Sequence, residues 1–161
     1  MEYWDAFDEN LFKIPDVTLV RGEPIPEGMY HLVCDVLVKH ADETYLLMQR
    51  APEKTFGGMW EATAGGAAIK GETPLGCAIR ELQEETGILS SDLRHVGTII
   101  KDSTIYMEYV CFYAGRKDVR LQKGETVDYK WVTREELADM RKQGNLITQR
   151  MSQFVSEIGE Q

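Results

Sequence analysis

Three glutamates, Glu81, Glu84 and Glu85, stand at i, i+3 and i+4 within the stretch GAAIKGETPLGCAIRELQEETGI, residues 66 to 88. On an α-helix that spacing puts the side chains on one face with Cβ atoms about 5–6 Å apart. Like charges so placed destabilise a helix by roughly 0.2–0.5 kcal/mol per pair, and more where the face lines a cleft. A divalent cation removes that cost. A set made only of oxygen ligands suits Mg²⁺ or Mn²⁺, which bind through one or two carboxylates plus waters and substrate phosphates. A metal and a diphosphate are therefore implied together. Read alone, three helical glutamates describe a solvated face; the surrounding residues argue otherwise. Gly65-Gly66 lets backbone approach a metal or phosphate, Gly71-Glu72 turns the chain into the helix, and Gly87 ends it where a positive φ is useful.

The elements that would position these residues follow from hydrophobic periodicity and turn chemistry. Thr73 is an N-cap and Pro74 a first helical residue, so the spacing predicts a helix over 74–86, with Leu75, Ala78, Ile79 and Leu82 on its apolar side. Upstream, residues 30–40 and 43–50 are apolar, β-branched runs joined by a polar break at Asp42, which signals a hairpin; residues 60–66 read as a short strand ending in the glycine pair. Downstream, residues 95–116 divide at Asp102-Ser103 into two strands, and Thr126 to Val132 supply another. Thr133 and Glu136 form a capping box for a helix over 134–143, and Ile147, Met151, Phe154, Val155 and Ile158 recur at helical spacing, predicting a last helix over 146–158. Residues 1–28 read as a hairpin-like arm packed on the main body. The order is α+β, an α/β/α sandwich around a mixed sheet, with 1–161 as a single domain.

Composition narrows the function classes. The formal charge of −9 and pI near 4.9 oppose a surface built for nucleic-acid phosphates, which needs Lys and Arg. Cys34, Cys77 and Cys111 form no CxxC pair and lie in apolar stretches, so they read as reduced core residues. The acidic start MEYWDAFDENLFK lacks the basic and apolar character of a signal peptide, and no apolar run reaches the length of a membrane span. The expectation is a cytoplasmic protein, monomer or homodimer, acting on a small-molecule diphosphate, with no nucleic-acid or membrane partner.

Residues 66–88 match G-x5-E-x7-R-E-U-x-E-E-x-G-U, with U aliphatic, at every specified position, so the chain resembles the Nudix hydrolases. LLMQR (46–50), GMWEATAGG (58–66) and the span from Glu125 to Trp131 resemble flanking strands of the same family. The resemblance implies that Glu81, Glu84 and Glu85 ligate metal, that Arg80 orients Glu81, that the Gly65 carbonyl completes the site and that Glu72 braces the loop and reaches toward a metal. It leaves Glu81 or Glu125 as general base. For substrate, Arg50 is a candidate phosphate contact, as are Lys54 and Arg21, while Phe56 and Trp60 are candidates to stack on a base, with core packing as the alternative for each aromatic. A nucleoside diphosphate linked to another moiety is the expected class.

Two rivals remain at this level. RGEPIPEGMYHL (21–32) resembles the N-terminal pattern of the isopentenyl diphosphate isomerase branch, and His31 matches one of its metal histidines. That enzyme needs a cysteine and a histidine where this chain has Gly65 and Ala67, so the isomerase lacks its proton-transfer agent here. A ligand-sensing domain without turnover is the other rival; it would be marked by lost box glutamates, and all are present.

Overall fold

A computed structural model describes residues 1–147. Nine strands and two helices follow in the order β1 Tyr3–Phe7, β2 Lys13–Val20, β3 His31–His40, β4 Tyr45–Arg50, β5 Trp60–Glu61, β6 Thr63–Ala67, α1 Pro74–Thr86, β7 Leu93–Lys101, β8 Thr104–Tyr113, β9 Thr126–Val132 and α2 Arg134–Lys142. The fold is an α+β sandwich around a mixed sheet of seven strands.

β3 is the pivot of that sheet. It runs parallel to β8 over ten residue pairs and antiparallel to β6 over five, from Val33↔Ala67 to Leu37↔Thr63. The expected hairpin with β4 exists only at its neck, Lys39↔Tyr45; beyond it β4 diverges to pair with β9 and β5. A cleft opens where the two strands part. The single strand expected over 60–66 is likewise two, interrupted at Ala62, because β5 belongs to β4 while β6 belongs to β3.

Alternation along β3 sends Leu32, Cys34, Val36 and Val38 into one core and Leu37 into the other. The first core meets Cys77, Ala78 and Leu82 of α1; the second meets Leu137 and Met140 of α2. The three cysteines are buried and free, as expected of core thiols. Leu75 departs from expectation: it is 41% exposed, and Cys77 takes its place on the buried stripe. Pro74 sets the helix phase so that Leu75 falls in the first turn, before α1 settles on the sheet.

The caps match the sequence. Thr73 Oγ1 accepts from the Gly76 N–H, Gly87 closes α1 in the left-handed region at φ 79°, and both halves of the Thr133–Glu136 capping box form. Leu146 makes a bridge to Trp60 and neither it nor Ile147 is helical, so a last helix does not begin at 146; the rest of that expected helix lies outside the described residues. The arm is a two-stranded antiparallel sheet of β1 and β2 with its own small core of Trp4, Ala6 and Leu19, joined to the body by paired Phe7 and Tyr30 backbone bonds of 2.9 Å. No described helix is long and apolar enough to cross a membrane.

Candidate active site

Helix α1 presents its acidic residues to the end of β6, where Gly65 and Gly66 bring backbone close. A Cβ on Gly66 would stand 2.6 Å from Glu81 Oε1, and one on Gly65 would stand 2.0 Å from the Cys34 carbonyl and 2.7 Å from Asp35 Oδ1. No other residue type fits at either position without displacing the site.

Arg80 is the hub of one half of this surface. Its Nε and Nη2 donate to the two carboxylate oxygens of Glu72 at 2.7 and 3.0 Å, its Nη1 donates to Glu81 at 2.9 Å and to Glu84 at 3.2 Å, and Nη2 also reaches the Ala67 carbonyl at 3.1 Å. Such a planar fork fixes several carboxylates at once, which a lysine could not do. Burial acts to raise the Glu72 carboxyl, but the Arg80 bonds and the Ile69 N–H outweigh it and hold it below the usual range. The guanidinium in turn is raised, first by its bond to Glu72. For Glu81 the balance goes the other way: burial, reinforced by Glu84 and Glu72, wins over Arg80, and its carboxyl is raised.

The other half has no such cation at its centre. Glu85 accepts a bond from the Gly65 N–H at 3.3 Å. Burial, then the charges of Glu61 and Glu81, with Glu125 adding to them, push its carboxyl well above the ordinary value. Glu85, Gly65, Gly66, Lys54 and Glu125 line two adjoining cavities of about 170 and 220 Å³. The smaller also takes in Asp35, Arg50 and Glu61; the larger takes in Glu81 together with Glu2 and Arg21 of the arm. Arg50 pairs with Glu61 at 3.0 Å and donates to the Thr55 carbonyl, while Lys54 pairs with Glu125.

These residues fit a hard divalent cation. Among the described residues no three His, Cys, Asp or Glu side chains are already gathered as a ligand cluster. Glu81 and Glu85 nevertheless line one cavity beside Gly65, and a pair of carboxylates with the remaining positions left to water and phosphate is how Mg²⁺ is usually held. Glu61, Glu81, Glu85 and Glu125 all line these two adjoining cavities, a concentration of carboxylate oxygens that a cation would offset.

The structure thus brings Glu81, Glu85, Gly65, Glu125 and Arg50 to one cleft, and sets Arg80, Glu72 and Glu84 beside it as a bonded group. Glu84 lines neither cavity. Trp60 and Phe56 also stay outside: Trp60 packs against the second core with Lys130 Nζ 4.3 Å from its ring centre, and Phe56 is 45% exposed on the turn after β4 with φ 58°. His31 is held in the fold, stacked on Trp4 at 4.1 Å with Nε2 2.8 Å from Thr104 Oγ1. Two cleft acids escaped the sequence reading, Asp35 and Glu61. The signal for Asp35 was an acid in the middle of the apolar run VCDVLV, which puts a charge in a buried strand; it is 4% exposed.

Residues 29–153 match the NUDIX domain family model. The chain belongs to the Nudix hydrolase family. It is 36% identical over 154 residues to the uncharacterized Nudix hydrolase lmo0368 of Listeria monocytogenes, spanning 91% of this chain and 89% of that one. Among solved structures, the fold is similar to DR0079 of Deinococcus radiodurans, with a TM-score of 0.69 at 19% identity over 89% of this chain and 91% of that one. It also resembles a bifunctional NMN adenylyltransferase/ADP ribose pyrophosphatase of Francisella tularensis complexed with AMP and a Mn ion, at TM-score 0.61 and 20% identity, over 81% of this Nudix chain and 42% of that one.

Proposed function

We propose that this Nudix hydrolase cleaves a diphosphate linkage in a small molecule, a nucleoside diphosphate joined to another moiety, with Mg²⁺ or Mn²⁺ held by the α1 glutamates. One observation carries the reading: Glu81 and Glu85 line one cleft with Glu125 beside the Gly65-Gly66 backbone, where a Cβ on Gly66 would stand 2.6 Å from Glu81. Glu81 and Glu85 with the Gly65 carbonyl are the ligands the cleft presents, and Glu84 joins them by exchanging its bond to Arg80. Bound there, the ion would offset charge developing on the diphosphate oxygens and acidify water.

The chain's own residues do the rest. Arg80 holds Glu81 in register, Glu72 holds Arg80, and Arg50 and Lys54 offer positive charge to an anionic substrate entering an otherwise acidic cleft. The proton of the attacking water passes to Glu81 or Glu125; for Glu125 that step breaks the ion pair with Lys54. The nucleotide in the Francisella relative's structure supports the substrate class, and its Mn ion supports the metal. We read residues 1–161 as one domain, acting as a monomer or homodimer in the cytoplasm.

A hydrolysis screen tests this. Nucleotide sugars, dinucleotide polyphosphates, NADH, ADP-ribose and nucleoside triphosphates are incubated with Mg²⁺ or Mn²⁺, with Glu85→Gln as blank. The expected result is metal-dependent release of a nucleoside monophosphate from one class. Failure to turn over any of them with either ion would sink the reading.

A further inference from the structure

The arm carries a buried acid whose partner lies in the segment between β6 and α1. Asp5 is 5% exposed; its Oδ2 accepts from the Gly71 N–H at 2.7 Å and its Oδ1 lies 3.2 Å from Lys13 Nζ. Gly71 sits at φ +87°, a left-handed position in the turn that delivers Glu72 into place, and the Lys70 N–H beside it donates to the Tyr3 carbonyl at 2.8 Å. Two bonds from β1 therefore grip the segment between β6 and α1. That segment is short and tight: the Glu72 N–H donates to the Ile69 carbonyl and the Ile69 N–H donates to Glu72 Oε2, each at 3.0 Å.

We propose that Asp5 is a positioning residue of the hydrolase site: by fixing the Gly71 amide it sets the Glu72 carboxylate, and through Arg80 it holds Glu81 where the ion binds. This rests on the metal-dependent reading above. The physical chain is continuous. Asp5 holds Gly71, the next residue is Glu72, Glu72 takes both arms of Arg80, and the same guanidinium orients Glu81. Gly71 is exposed and its amide only part-buried, so without the Asp5 acceptor the turn is free to move, and movement here turns the residue that holds Arg80. Asp5 lies on the face of β1 opposite Trp4 and Ala6, paired across the strand with Thr18, so its carboxylate is turned away from the arm's own core and toward residues 70–71. Groups that orient metal ligands from outside are typically worth 10–100-fold in affinity or activity, and Asp5 acts one link further out, at the low end of that range.

The test uses the full chain. Mn²⁺ affinity is measured by electron paramagnetic resonance, Gly71 amide exchange by NMR on metal-free protein, and kcat and KM on the best substrate of the screen. Asp5→Ala is expected to bind Mn²⁺ about 10-fold more weakly and to lose about 10-fold in kcat with KM little changed, while Gly71 exchange accelerates. Asp5→Asn, which keeps the acceptor, restores both, and Lys13→Met, which removes only the ion pair, stays within about twofold of wild type. Should Asp5→Ala not fold, Asp5→Ser, too short to reach Gly71, carries the same expectation. Unchanged Mn²⁺ affinity and Gly71 exchange in folded Asp5→Ala or Asp5→Ser would overturn the proposal while leaving the metal reading intact. Wild-type protein that binds no Mn²⁺ would overturn both.

Discussion

The two flanks of α1 carry the same residue type and opposite electrostatics. On the Arg80 flank, Glu72 and Glu84 are bonded to a guanidinium, and Glu72 lies below its usual pKa range. On the Glu85 flank, one residue beyond Glu84, the carboxyl is raised, first by burial and then by the charges of Glu61, Glu81 and Glu125. Of the cleft glutamates, Glu81, Glu125 and Glu61 each have a cation partner, whereas Glu85 accepts from the Gly65 N–H. A like-charge cluster is tolerated when a ligand is to complete it, and the burden is carried by folding energy until the ligand arrives.

The largest effect should come from removing the cleft acid. Glu85→Gln is expected to lower kcat/KM about a thousandfold, several kcal/mol of lost transition-state stabilisation, and Glu84→Gln by clearly less. Equal losses in steady-state assays would break the contrast between the flanks. Next is Arg80→Lys, which keeps the charge but loses the fork. A 10–100-fold fall in kcat is expected, with weaker Mn²⁺ binding, and native turnover would show that the framework flank is not framework.

Acid-base linkage separates the flanks without mutation. Glu85 has a folded pKa above its unfolded value of about 4.3, so between those two values the native state binds more protons than the unfolded chain and stability falls as pH rises. Metal-free protein should therefore gain from Glu85 as pH is lowered from neutrality through that window. Saturating Mn²⁺ should abolish the gain, because ion and proton compete for one carboxylate. Glu72 has the opposite sign: its stabilisation is present above about 4.3 and is lost as pH falls further through its depressed folded value. Denaturant titrations across pH, with and without Mn²⁺ and repeated on Glu85→Gln, measure both; a metal-free pH profile unaltered by that substitution would refute the assignment.

The smallest effect is expected at Trp60→Phe. Its loss should cost about 0.5–1 kcal/mol of stability through the Lys130 contact, with KM unchanged. A tenfold higher KM would return Trp60 to the substrate side of the boundary.

What could be read from the chain was local. Thr73, Pro74 and Gly87 bound α1 to the residue, and Thr133 with Glu136 starts α2, because caps depend on side chains within one turn of the backbone groups they satisfy. The family likewise lies in one continuous stretch, residues 66–88. What misled was also local: Leu75 has an apolar type at helical spacing, yet it sits in the first turn, clear of the sheet.

The sequence by itself determined the caps, the acidic face of α1 and the glycines that let β6 approach it, since each follows from spacing within a few residues. Only the tertiary structure decided that Glu81 and Glu85 line the cleft while Glu84 stands beside it on Arg80. That division depends on β3 parting from β4 and on the arm folding back over residues 68–72, contacts between segments tens of residues apart that no local pattern encodes. Asp35, Glu61 and Asp5 gain their meaning the same way: a carboxylate's role is fixed by what surrounds it, and here its neighbours come from other strands.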